Sequence, residues 1–279
     1  MGGERPVQGI NQRPRKRRSV NILDMSRIPL IVSCLVLSAL SIHSQTKVAG
    51  LPRSAVVLET KNLSSIKHPN RSLILWMLRP TRNPRNIADD EPYTCPDETR
   101  GSSYTGPTRV SLIDTSSNTI INTVQVKDYE GESDRLDLPY AIRHGYYYYA
   151  PKPARAGAQT RPTILQLRDY NGDGKATEFA LFDALACMGL ETTLIGYSES
   201  QDRVIHFPIQ ITIIEKGGRA VQSTYWADYL FSREPQRPSY WKYEIDYRGR
   251  GGSLDKWEVH YNHAQERFEA TLTRITDKQ

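Results

Sequence analysis

Ten consecutive residues carry the densest chemistry in the chain: Asp169, Tyr170, Asn171, Gly172, Asp173, Gly174, Lys175, Ala176, Thr177 and Glu178. Oxygen-bearing side chains fall at alternate positions, Asp169, Asn171 and Asp173, with glycine at the sixth. Calcium takes about six to eight oxygen ligands at flexible distances, and alternate side chains converge on one ion when the backbone curls. Gly174 permits that curl, because glycine enters left-handed backbone without steric cost. The Lys175 carbonyl would add a backbone oxygen and Thr177 a hydroxyl or water contact. A further carboxylate would come from Glu178, Asp183 or another segment. Ca2+ is therefore the cofactor that this spacing implies. The alternative is an ordinary Asx-rich turn, since Asn-Gly and Asp-Gly are frequent turn formers. The five conforming positions favour the ion.

The D-x-N-x-D-G segment resembles the loops of EF-hand and dockerin modules and of FG-GAP (VCBS-type) propeller blades, which set such a loop between two strands. The resemblance covers about ten residues, not the whole chain. It implies weak extracellular-range calcium affinity, about 10⁻⁴–10⁻³ M, because the twelfth position is Ala180 where an EF-hand has a bidentate Glu. The ninth, Thr177, replaces the Asp of the FG-GAP pattern. A dockerin needs a second copy and a propeller many, and no internal repeat is visible.

Other candidates are weaker. His260 and His263 are three apart, and on a strand such residues face opposite sides, so a shared zinc would need a turn at Asn262. No G-x-S-x-G, C-x-x-C or H-E-x-x-H is present. Residues 172–175 lack the outer glycine and following Ser/Thr of a phosphate-binding loop. A secreted hydrolase would have to draw on His144, His206, Glu244 and Asp246. The four tyrosines Tyr146–Tyr149 could stack on sugar rings, as in carbohydrate-binding β-sandwiches, or simply pack across strands. A glycan or a cell-surface molecule is the kind of partner such rings would meet.

The elements that must position these residues read as strands. Residues 109–115 and 119–126 are β-branched runs around Ser116, Ser117 and Asn118, a hairpin pattern. In residues 241–248, Trp241, Tyr243, Ile245 and Tyr247 alternate with charged residues, then residues 249–252 turn. Trp257, Val259 and Tyr261 repeat the apolar face, and a third run follows over 268–275, predicting an antiparallel meander. Residues 163–168 (TILQLR) and 179–182 (FALF) predict strands on either side of the loop. The best helical spacing is Val221, Tyr225 and Tyr229 within 219–232, whose aromatics suit a strand equally. The fold class is thus mainly β, with antiparallel sandwich or propeller-blade-like sheets. The Pro-rich residues 151–162 read as a linker or surface loop between β-rich halves 45–150 and 163–279.

Charge and targeting complete the reading. Residues 1–27 hold seven basic against two acidic residues, so five of the six net positive charges lie there. The near-neutral remainder lacks the field that nucleic-acid backbone binding needs. Residues 28–42 are an uncharged, mostly apolar run, short for a bilayer span and suited to a signal peptide over 1–44, with Met25 as an alternative start. Arg17-Arg18 is a twin-arginine pair, but Asp24 and nine intervening residues separate it from that run. Ile31-Val32-Ser33-Cys34 resembles a lipoprotein box, yet the apolar run continues past Cys34. An uncleaved anchor helix is the third alternative. The membrane therefore enters this reading only through the export signal.

With Cys34 removed, Cys95 and Cys187 are an even pair in an oxidising compartment. They would form either a disulfide contributing about 3–4 kcal/mol or two buried thiols. The sequence thus describes an exported calcium-binding β-protein with a binding or structural role outside the cell, periplasmic, surface-held or secreted. The rival readings are a carbohydrate-binding module and a hydrolase whose site follows none of the familiar motifs. Intact mass of the exported product should place its first residue near Gln45. Full-length protein confined to the cytosol would refute export, and a lipid-modified Cys34 would transfer it to the lipoprotein route.

Overall fold

The strands follow from alternation wherever one face is wet and from continuous apolar runs wherever both faces are covered. In the computed structural model, residues 48–63, 67–83, 103–138, 163–185 and 189–276 are described. Six strands make the first sheet: β1 (Ala55–Asn62), β2 (Arg71–Leu78), β3 (Thr81–Asn83), β4 (Ser103–Asp114), β5 (Thr119–Val126) and β6 (Arg135–Leu138). The long β4 is its spine, pairing with β2 and β5 along one half and with β3 and β6 along the other. The β4–β5 hairpin is the expected one. Its turn is tied by the Asp114 carboxylate, which accepts from the backbone N–H of Ser116 and Ser117, while Asn118 takes a left-handed φ of 55°.

The second sheet holds β7 (Glu178–Leu185), β8 (Gly189–Ser198), β9 (Arg203–His206) and β12 (Trp226–Asp228), in the order β12-β8-β7 with β9 also on β8. The third sheet adds β10 (Ile209–Glu215), β11 (Gly218–Thr224), β13 (Tyr240–Asp246), β14 (Leu254–Asn262) and β15 (Arg267–Ile275), ordered β11-β10-β15-β14-β13. The predicted meander is β13–β15, and β10 joins β15 in parallel.

Two cores show how the sheets stack. Leu73, Leu75 and Leu112 of the first sheet pack with Phe179, Leu181 and Ile195 of the second. The opposite face of that second sheet, Ala180 and Leu194, packs with Trp241, Val259 and Phe268 of the third. The four-stranded sheet is therefore the middle layer, and β8 is buried along nearly its whole length. Residues 46–279 form one unit, so both sides of segment 151–162 contribute to one core. No helix of the described residues is long and apolar enough to cross a membrane.

One open alternative is resolved and one expectation is corrected. Residues 219–232 are not helical: they form β11, β12 and a 3-10 turn over Leu230–Ser232. Val221 and Tyr225 are exposed, so the four-residue spacing does not mark a buried helical face. Residues 163–168 do not form a strand; only Arg168 bridges Glu178. Their backbone goes elsewhere, since the two Glu59 carboxylate oxygens accept from the N–H groups of Ile164 and Leu165 at 2.8 Å each. Segment 151–162, Tyr146–Tyr149, His144, Cys95, Cys187 and residues 1–44 lie outside the described residues.

The aromatic centre of the second core is Phe268, fully buried, with ring centroids of Tyr261, Phe231, Trp241 and Phe207 at 4.9, 5.1, 5.8 and 6.3 Å. Such edge-to-face clusters add to area burial. Phe268→Ala should lower stability by about 3–5 kcal/mol in urea unfolding, whereas the exposed Val221→Ala should change it by less than about 0.5 kcal/mol.

Candidate metal centre

Backbone pairing closes the loop before any side chain acts. The Arg168 N–H donates to the Glu178 carbonyl at 2.8 Å, and the Glu178 N–H donates back at 3.2 Å. Within that clasp Asp169 turns inward: its Oδ1 accepts from the N–H of Gly172 (2.7 Å) and Asp173 (3.1 Å), and its Oδ2 from Gly174 (2.9 Å). Asn171 Oδ1 accepts from the Asp173 N–H at 2.9 Å, and Asp173 Oδ1 from the Lys175 N–H at 2.8 Å. Gly172 and Gly174 take φ values of 78° and 84°, the conformations for which the sequence supplies glycine. The Lys175 ammonium reaches Glu199 at 2.5 Å and raises its own proton affinity there.

Thr177 and Glu178 lie beneath the loop, both buried. Glu178 accepts from the Thr177 hydroxyl (2.6 Å), the Tyr170 N–H (3.0 Å) and Asn171 Nδ2 (3.3 Å). Burial pushes its carboxyl up to about 8, against the pull of those bonds. The last contact matters for the loop: by holding the Asn171 amide nitrogen, Glu178 leaves the Asn171 oxygen facing the turn. Across the sheet stands Gly196, where a Cβ would meet Glu178 Cγ at 2.7 Å and its Cα at 2.8 Å, so this close approach needs glycine.

The structure thus brings Asp169, Asn171 and Asp173 around one turn, with the Lys175 carbonyl accepting from Thr177. Among the described residues no three His, Cys, Asp or Glu side chains stand close enough to hold a metal ion. Glu178 faces inward instead of joining Asp169 and Asp173. No family model, curated protein or solved structure matches the chain.

The remaining sequence candidates are dispersed. His206 stacks on Tyr225 with centroids 4.2 Å apart, and burial lowers its pKa to about 3, so it stays neutral. Its Nε2 meets the Thr193 hydroxyl, which itself donates to the Tyr225 carbonyl, so Nε2 carries the proton. Glu244 pairs with Lys256 and Asp246 with Arg248 on the outer face of the third sheet. His260 faces Glu269 at 3.5 Å, and His263 packs edge-on to Tyr261.

One cluster escaped sequence reasoning altogether. Asp183 stands opposite Glu191 on β7 and β8, and Glu191 opposite Asp228 on β8 and β12, so three acids share one level and face of the middle sheet. Burial, then the charge and hydrogen bond of Asp228, then Asp183, push Glu191 up to about 9. Glu178 and Glu191 thus hold protons more tightly folded than unfolded. Such a contribution is complete below the unfolded carboxyl pKa, about 4.5, and is lost as pH rises through about 8–9. Urea midpoints should therefore fall between about pH 7 and pH 9.5, and Glu191→Gln should reduce that fall. An identical slope in the variant would remove Glu191 as its source.

Proposed function

We propose that the loop from Asp169 to Lys175 binds calcium weakly and that the protein acts, after export, as a binding or structural β-protein outside the cell. The observation that carries this reading is the surplus of acceptor oxygens around a turn whose glycines already hold the required backbone. Each carboxylate offers about four lone-pair sites. The bonds described above engage three on Asp169 and one on Asp173, and Asp173 Oδ2 accepts none among the described residues. A cation would use what remains on Asp169, Asn171 and Asp173, with water completing the shell. Thr177 and Glu178 then serve beneath the ion, Glu178 orienting Asn171. The basic residues followed by the apolar run 28–42 support export.

An ion bound here would fix the clasp between Arg168 and Glu178, the entry to the middle sheet. Binding to the folded state alone stabilises by RT ln(1 + [Ca2+]/Kd), about 2.7 kcal/mol at a hundredfold excess over Kd. Millimolar calcium should raise the melting temperature and chelator reverse it, with magnesium a poor substitute because it demands a tighter octahedron. Asp173→Ala should abolish the response. A melting curve indifferent to calcium would make the loop an ordinary turn.

A further inference from the structure

Beside the loop lies a half-open cleft of about 160 Å3. Asp173 of the loop, Glu199 after β8 and Glu266 in the β14–β15 turn reach it from three segments, and the rings of Phe207 and Tyr261 complete its wall. Tyr261 is the decisive residue. It is only 8% exposed, yet its hydroxyl has no hydrogen-bond partner among the described residues. Nor is the hydroxyl sealed in the core, where Trp257 Nε1 is the buried side-chain atom without a partner among the described residues. Burial raises the proton affinity of the phenol, and Glu266, Glu178 and Asp173 add to the effect, none of them bonded to it. A buried, unbonded phenol that lines one cleft with Asp173 and Glu266 leaves room for a group between them.

The chemistry of that group follows from what the walls offer. The donors around Glu266 are already engaged: Ser198 and Ser200 donate to Glu266 Oε1 at 2.6 and 2.9 Å, and Gln201 to Oε2 at 2.6 Å. Desolvation opposes ionisation of Glu266, but these bonds hold its carboxyl below the usual range, and the Lys175 ammonium pairs with Glu199 at 2.5 Å. The cleft therefore presents the anionic acceptors Asp173, Glu199 and Glu266, one phenol and the His263 imidazole, with Lys175 offsetting a single charge. Because no three of the acids approach closely enough for one metal ion, the charge suits a larger cation with N–H groups pointing several ways. A planar guanidinium has five such donors and packs against aromatic rings.

We propose that the cleft between Asp173, Tyr261 and Glu266 binds a guanidinium group, borne by a free small molecule or by the arginine of a peptide. This does not rest on calcium binding, and the test separates the two. The full chain in chelator is titrated with methylguanidinium, with its neutral isostere methylurea and with a blocked arginine dipeptide, while the Tyr261 ring signals are followed by NMR. Methylguanidinium should saturate on the order of millimolar. Glu266→Gln should weaken it about tenfold, as expected for a charge-assisted bond. Tyr261→Phe, which keeps the ring packing, should weaken it less but measurably. Tighter binding of the dipeptide would identify peptide arginine as the source, and equal binding a small ligand. Equal binding of methylurea, no saturation, or unchanged affinity in both variants with native spectra would overturn the proposal.

Discussion

A sheet buried on both faces gives its polar groups no water to turn to, so each must find a partner inside the protein. The middle sheet lives under that constraint. The Thr192 hydroxyl donates to the Ala227 carbonyl at 2.8 Å and accepts from the Phe231 N–H at 3.1 Å, stitching β8 to β12 and to the turn beyond it. Thr193 does the same between His206 and Tyr225. Glu178, fully buried, gathers three donors from the loop above it. The loop has its shape partly because this carboxyl needs those donors. The satisfaction of the middle sheet and the geometry of the candidate site are one arrangement.

The same burial sorts the carboxylates by environment. Glu178 and Glu191, set in the middle sheet, hold their protons to high pH: desolvation outweighs the hydrogen bonds of Glu178, and at Glu191 the charge and hydrogen bond of Asp228 add to it. Glu266 and Glu199, at the ends of strands where hydroxyls, an amide and an ammonium reach them, stay ionised. Acids of one chemical type thus divide between keeping the fold together and facing the cleft. Arg71 adds a third use, gripping Asp114 of the first sheet and Asp202 of the β8–β9 turn at 2.7 Å each, so that charge as well as apolar packing joins two layers.

Much of the fold was legible because its signals are local. Alternation over 241–248 and 257–261, and the polar turn at Ser116–Asn118, need only neighbouring residues to be read, and the strands lie there. The loop was legible for the same reason: spacing within six residues fixes Asp169 at the centre of its turn. What failed depended on distant partners. Residues 163–168 have strand composition, but Glu59, more than a hundred positions earlier, takes their N–H groups. The row of Asp183, Glu191 and Asp228 exists only through register between β7, β8 and β12, and no spacing announces it. The cleft likewise draws its walls from four separate segments, and Tyr261 reads in sequence as one more inward ring of a meander.

The parallel pairing of β10 with β15 has a consequence for how the molecule is made. The last of the described strands, β15, lies at the centre of its sheet, between β10 and β14, not at an edge. A chain that emerges from its N-terminal end therefore presents β10–β11 and β13–β14 as two separate hairpins, each with an apolar face and an unpaired edge waiting for the same strand. Non-local pairings of this kind close late, and unpaired edges are where chains stick to one another. Assembly of this layer thus waits for β15, and a chain stopped just short of it would lose the middle of a sheet instead of its margin.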